Sequence, residues 1–134
     1  MSKYLVDTSI WIDFFRGNSQ MIKHRMIQLL NENAICFNGI ILSELMIGAR
    51  NQKELDFIKD NFQGLIYLET DRDFFVYASE IGNRVQKGGK TISLSDLLIL
   101  AHAKKNNLTV FTRDKHFEFL GQNFDFQYEI FKNT

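Results

Sequence analysis

The stretch LVDTSIWIDFF (residues 5–15) breaks an apolar run on a carboxylate, Asp7, and two hydroxyls, Thr8 and Ser9, then resumes with five apolar residues in six. A buried strand that ends at Asp7, followed at once by a helix, accounts for both halves. The pattern recurs near the other end of the chain, in TVFTRDKHF (109–117), where an apolar run closes on Thr112 and Asp114 lies two residues beyond it. In open parallel sheets, ligands bind past the carboxyl ends of the strands. Acids at two strand ends therefore mark one edge of the molecule.

Outward from these two stretches, short apolar runs alternate with longer helical patterns. Strands are expected over 3–7, 34–37, 64–69, 109–112 and 126–131. Helices are expected over 9–16, 19–33, 39–48, 51–62, 72–87 and 95–106, with Gly88-Gly89 stopping the fifth. In 19–33 the apolar residues Met21, Ile22, Met26, Ile27, Leu29 and Leu30 keep helical spacing. Such alternation predicts an α/β fold, a central mostly parallel sheet flanked by helices on both faces. No linker, repeat or low-complexity tract divides residues 1–134, so one domain is expected.

Composition narrows the function. The chain has 134 residues, long enough to bury a real core. Sixteen Lys and Arg balance sixteen Asp and Glu. A protein that grips nucleic acid by bulk charge is normally basic, so nucleic-acid chemistry here requires local patches or a bound cation. The lone Cys36 lies in an apolar run and reads as a buried, inert thiol. The first residues lack a signal-peptide core and no run approaches a membrane span, which predicts a cytoplasmic protein.

Four carboxylates stand where a fold alone has little use for them. Ile40, Glu44 and Ile47 fall at i, i+4 and i+7, which sets Glu44 within the stripe expected to face the core. A buried carboxylate needs a partner or a cation; the competing reading turns Glu44 to solvent. Asp96 closes the pattern Ser93-x-x-Asp96 ahead of an apolar run and can cap its helix. Asp7 and Asp114 can likewise serve as anionic residues near helix starts. If all four converge, each pair repels by about 4 kcal/mol at 4 Å and an effective dielectric near 20. A divalent cation relieves that repulsion, and an all-oxygen donor set favours Mg²⁺ or Mn²⁺ over Zn²⁺. Carboxylate-held Mg²⁺ suits phosphodiester hydrolysis. Thr112 and Ser9 are placed to support a carboxylate or an ion-bound water, with ordinary capping the alternative for Ser9.

Other residues admit weaker roles. The helix over 9–16 carries Ile10, Trp11, Ile12, Phe14 and Phe15 and has almost no wet face; either the protein's own core or a partner covers Trp11 and Phe15. Lys87, Lys90, Arg113 and Lys115 are basic residues able to touch nucleic-acid phosphates, a merely solvated loop being the competing reading. His24, His102 and His116 show no ligand spacing; His102, after an apolar run, reads as a hydrogen-bonded packing residue, and Asp13 as a structural residue that orients neighbours or faces water.

At these residues the chain resembles the PIN-domain ribonucleases, specifically the VapC-type toxins of type II toxin–antitoxin pairs. The resemblance spans essentially the whole chain through VDTSIWIDFFRG (6–17), SELMIGAR (43–50), SLSDLLILAHAKKN (93–106) and VFTRDKHF (110–117). It departs only slightly, in that Leu94 stands where many relatives carry proline. It implies an α/β/α sandwich and Mg²⁺- or Mn²⁺-dependent RNA cleavage. The metal-site role falls on Asp7, Glu44, Asp96 and Asp114, with Thr112 as a supporting hydroxyl. It also implies a homodimer and a VapB-type antitoxin whose tail enters the active-site groove, with tRNA as the substrate suggested at family level. Against it stand a phosphatase, which wants a second acid where Ser9 stands, a receiver domain, which wants an aspartate near Glu69, and a binding module with a degenerate site.

Overall fold

Side-chain caps decide where most helices of this protein begin. In the computed structural model, which describes residues 2–132, Ser19, Asn38, Asn51, Asp71 and Ser93 each accept a hydrogen bond from the amide three residues on. Each satisfies one of the free N–H groups of a helix start. The elements are β1 (Tyr4–Val6), α1 (Thr8–Arg16), α2 (Gln20–Asn31), β2 (Ile35–Phe37), α3 (Gly39–Ile47), α4 (Gln52–Phe62), β3 (Ile66–Tyr67), α5 (Arg72–Lys87), α6 (Leu94–Asn106), β4 (Thr109–Thr112), α7 (His116–Phe124) and β5 (Gln127–Ile130). Gly17 ends α1 in the left-handed region at φ 66°, a conformation that costs glycine nothing.

The five strands form one sheet in the order β3-β2-β1-β4-β5, and every pairing is parallel. The chain steps outward from β1 to β3, then returns to the other side of β1 for β4 and β5. The strand order reverses between β1 and β4, where Val6 pairs with Phe111. Right-handed crossovers place α1–α4 on one face and α5–α7 on the other. The helix contacts divide the same way: α1 touches α2 and α3, α3 touches α4, and α6 touches α5 and α7. This is the α/β/α sandwich with helices on both faces.

Most expected elements are present, with three differences. The third strand shrinks to Ile66–Tyr67, an edge strand whose two side chains remain exposed. A parallel edge has one neighbour, and only Cys36–Ile66 and Phe37–Tyr67 are in register. Helix α7 was not anticipated. It starts at Lys115 without a side-chain cap, so its strongest sequence signal is missing. Gly121 lets it lie against β5, since a Cβ there would stand 2.3 Å from the Tyr128 ring. Third, α6 is buried without interruption from Leu97 to Ala103, the mark of a helix enclosed all round.

Trp11 belongs to the core. It is 2% exposed and packs on Phe62 with ring centroids 4.8 Å apart. Of the two readings, cover by the protein's own core holds for Trp11: α1 lies against α3 and the body of the protein closes over it. Cys36 is buried in β2, and burial pushes its thiol pKa up, away from the reactive thiolate.

Candidate active site

Asp7 leaves β1 and caps α1 in one step. Its Oδ1 accepts from the Thr8 amide at 2.8 Å, and its Oδ2 accepts from the Thr112 hydroxyl at 2.7 Å. The Thr112 Oγ1 in turn accepts from the Asp114 amide at 3.0 Å. One fully buried hydroxyl at the end of β4 thus ties the carboxylate of β1 to the backbone that carries Asp114. Thr112, expected as a supporting hydroxyl, thus hydrogen-bonds one expected acid and the backbone of another.

The other acids approach from the two helical layers. Glu44, on α3, accepts from the Thr8 hydroxyl at 3.0 Å. Asp96 lies in the first turn of α6, its amide donating to Ser93 at 3.2 Å. Asp114 accepts from the His116 amide at 2.9 Å and lies 2.8 Å from the His116 Nδ1. Asp7, Thr8, Asp96 and Asp114 are half-buried, whereas Glu44 is exposed.

Asp7 and Asp96 each feel the charge of neighbouring acids. The Asp7 carboxyl is held above its usual value, first by burial and then by the charges of Asp96 and Glu44, against the hydrogen bonds from Thr112 and Thr8. Asp96 is also raised, first by burial and further by Asp114 and Glu44, with Ser93 and His116 acting against the shift. No Lys or Arg figures among the groups acting on either.

Among the described residues, no three His, Cys, Asp or Glu side chains close around a single point tightly enough to hold an ion. The donors do fit Mg²⁺ or Mn²⁺ in kind, being carboxylate oxygens at strand ends and near helix starts. Mg²⁺ keeps several of its waters and commonly takes only one or two carboxylates directly.

Several expected residues take other places. Glu44 does not lie in the core-facing stripe: Ile41 and Leu45 face inward, and Ile47 is 84% exposed. The helix GIILSELMI is apolar on nearly every side, so spacing alone selects no face. Ser9 has a buried hydroxyl with no hydrogen-bond partner. The hydroxyl that reaches a carboxylate is that of its neighbour, Thr8. Arg113 is not a free cation for RNA, since it pairs with Asp13 and lies 5.4 Å over the Phe131 ring. Asp13, which also accepts from Asn18, is the orienting residue expected. Lys87 and Lys115 are exposed, and Lys90 lies 5.1 Å over the Phe119 ring. Two residues at the site were not anticipated, Thr8 and His116. Each lies within two positions of an aspartate, which is the signal that would have found it.

Beside Glu44, α1, α3 and α4 enclose a groove of about 460 Å³ lined by Ile12, Phe15, Leu45, Phe57 and Ile58. The Phe15 ring meets Phe57 edge-on at 5.5 Å. Phe15 is thus half-buried in the groove wall rather than presented freely to solvent.

Residues 4–121, from β1 into α7, match the model of the PIN domain. The chain belongs to the PIN-domain family. Within this family it is similar to Ribonuclease VapC2 of Haemophilus influenzae, with 30% identity over 117 residues, 81% of this chain and 83% of the relative. It is similar also to the tRNA(fMet)-specific endonuclease VapC of Shigella flexneri, 24% identical over 126 residues, 90% of this chain and 94% of the relative. Its fold resembles the DNA-bound VapBC of Salmonella typhimurium, with a TM-score of 0.80, 24% identity, and coverage of 97% of this chain and 98% of the other. Of the acids expected from sequence, Asp7 lies at the end of β1 and Asp114 two residues past β4, with Glu44 on α3 and Asp96 in the first turn of α6.

Proposed function

We propose that this PIN-domain protein is a metal-dependent endoribonuclease, the toxin of a toxin–antitoxin pair. The observation that carries the reading is that Thr112 ties Asp7 to the backbone of Asp114 and Thr8 reaches Glu44 at the point where strand order reverses, with no Lys or Arg acting on Asp7 or Asp96. Curated relatives that are VapC ribonucleases support the same activity.

Asp7, Glu44, Asp96 and Asp114 would hold Mg²⁺ or Mn²⁺. When bound, the ion supplies positive charge for the phosphodiester and makes water a better nucleophile at neutral pH. The chain's own contribution is positional. Thr112 holds the Asp7 oxygen toward the cleft and anchors the turn of Asp114. Thr8 holds Glu44 beside them. The raised Asp7 and Asp96 carboxyls release their protons more readily once a cation is present, so binding is coupled to proton loss.

A VapB-type antitoxin is the partner in this reading. The apolar groove that ends at Glu44 gives an antitoxin tail a path to the acids. The same reading takes tRNA as substrate, following the relative named for it. It takes the protein as a cytoplasmic homodimer, with exposed Phe75 and Val76 on α5 as apolar surface for association. No described helix is long and apolar enough to cross a membrane.

The test is cleavage of labelled cellular RNA by antitoxin-free protein, with Mg²⁺ or Mn²⁺ against chelator and wild type against Asp96→Asn. Discrete cuts that need both the ion and Asp96 are expected, most of them in tRNA. Folded protein that cuts no RNA class under any of these conditions would instead be a binding module.

A further inference from the structure

Three polar side chains are buried among the described residues: Asn38, His102 and Thr112. Thr112 joins Asp7 to Asp114. The other two join each other, and each lies on or next to a helix that carries one of the remaining acids.

Asn38 follows β2 and caps α3, the helix of Glu44; its Oδ1 accepts from the Ile41 amide at 2.9 Å. His102 sits on α6, the helix of Asp96, below the surface. Its Nδ1 lies 3.1 Å from the Asn38 Nδ2, and its Nε2 lies 3.2 Å from the Glu69 carbonyl, just past β3. The partners leave one proton arrangement. A backbone amide can only donate, so the Asn38 oxygen faces Ile41 and its NH₂ faces His102. A carbonyl can only accept, so the imidazole proton is on Nε2 and Nδ1 is the acceptor. Every polar atom of the pair that faces α3, β3 or α6 has its complement. The ring also stacks on Phe74 of α5, centroids 4.0 Å apart and planes 18° from parallel. Burial holds the imidazole below its usual pKa and keeps it neutral, as the bond from Asn38 requires.

The two helices so joined lie on opposite faces of the sheet. Glu44 and Asp96 must meet across its edge, and no strand pairing fixes how far apart α3 and α6 stand. We infer that Asn38 and His102 are positioning residues, a buried strut between the two helical layers that sets the separation of Glu44 from Asp96. The inference rests on the nuclease reading, because that separation matters only if both acids serve one ion. A polar pair in an apolar interior gives little net stability, since apolar groups of the same shape serve as well. What it does give is a single allowed geometry, which supports a site and is not needed to hold a core.

The experiment compares wild type, Asn38→Ser and His102→Gln. Serine keeps the cap on α3 but is too short to reach His102. Glutamine can still donate to Glu69 but offers Asn38 no ring nitrogen. Mn²⁺ binding is measured by calorimetry, and cleavage is resolved into kcat and KM for RNA at saturating Mn²⁺. Both variants should bind Mn²⁺ about 10–100-fold more weakly, the usual effect of losing a residue that orients an ion's ligands. The RNA KM should change little, and the double variant should be no worse than the poorer single one. Variants that are less stable yet bind Mn²⁺ with wild-type affinity would make the pair a stability element and overturn the inference. If neither variant folds, a role separable from folding is likewise overturned. Nitrogen NMR of the wild type adds a check independent of substitution, because a proton found on the His102 Nδ1 at neutral pH breaks the strut. Wild-type protein that neither binds Mn²⁺ nor cuts RNA would instead sink the nuclease reading beneath it.

Discussion

Two carboxylates on the same sheet are treated in opposite ways. Glu129, on β5, receives Arg25 through two hydrogen bonds at 2.8 and 2.9 Å. The guanidinium also donates to the Tyr4 hydroxyl and to Gln28, and lies 5.1 Å over the Tyr4 ring. The Glu129 hydrogen bond holds the Arg25 pKa further above its ordinary value. Asp7, two strands away at the end of β1, has hydroxyl and amide donors but no cation, and its nearest charges are other acids. Where a charge serves this fold, the chain supplies the counter-charge. Where the chain supplies none, the counter-charge is expected from outside, and that is the physical signature of the site.

This contrast can be broken by substitution. The largest effect belongs to the acids: Asp7→Asn and Asp96→Asn should each reduce RNA cleavage on the order of 10³-fold, as removal of a group that stabilises transition-state charge commonly does. Both should leave thermal unfolding unchanged or shifted upward. A destabilised, still active Asp7→Asn protein would make Asp7 a structural residue like Glu129.

Next comes the ion itself. Mn²⁺ at a hundred times its dissociation constant should stabilise the wild type by about 2.7 kcal/mol. Most of that gain should vanish in Asp96→Asn, as read by thermal melts at fixed protein concentration. An equal gain in both proteins would place the ion elsewhere.

At the paired end, Glu129→Gln should cost about 1 kcal/mol of folding stability in urea titrations, a modest figure because both partners are partly exposed. Cleavage should stay at the wild-type rate. A loss of cleavage there would mean that the Arg25 network reaches the acids, against the comparison drawn above.

The smallest effect is the pH dependence of the ion-free protein. Asp7 and Asp96 bind protons more readily folded than unfolded. The stability they contribute is complete below the unfolded value of 3.8 and is lost as pH rises through their raised folded values. His102 acts in the opposite sense. Its lowered pKa contributes stability above 6.5 that is lost as pH falls through the folded value. The difference between wild type and Asp7→Asn isolates the Asp7 part, so the stabilisation by Asn should grow as pH rises from acid toward neutral. An Asp7→Asn increment that does not vary with pH would show that Asp7 lies outside the repulsive cluster.

Much of this protein was legible along the chain, for physical reasons that act locally. Asp7 and Asp114 stand where apolar strand runs stop, and Asp96 follows a serine cap. Strands and helices alternate because period-two and period-3.6 burial leave different spacings. These features need only neighbours within a few residues.

What tertiary structure alone decided is which side chains meet. Glu44 left the core stripe because α3 offers apolar residues on nearly every side and packing chose Ile41 and Leu45. Thr8, not Ser9, reached a carboxylate because α1 turns Thr8 toward α3. Trp11 went inward because Phe62 of α4 closes over it, and Arg113 lost its freedom to Asp13, a hundred residues earlier in the chain. Helix α7 began without a cap and was held by its fit against Tyr128. His102, readable from sequence as a hydrogen-bonded packing residue, acquired its particular partners from the residues just past β2 and β3. Periodicity and capping report what a segment does with its own backbone. The choice of partner depends on distances between segments, which no local pattern encodes.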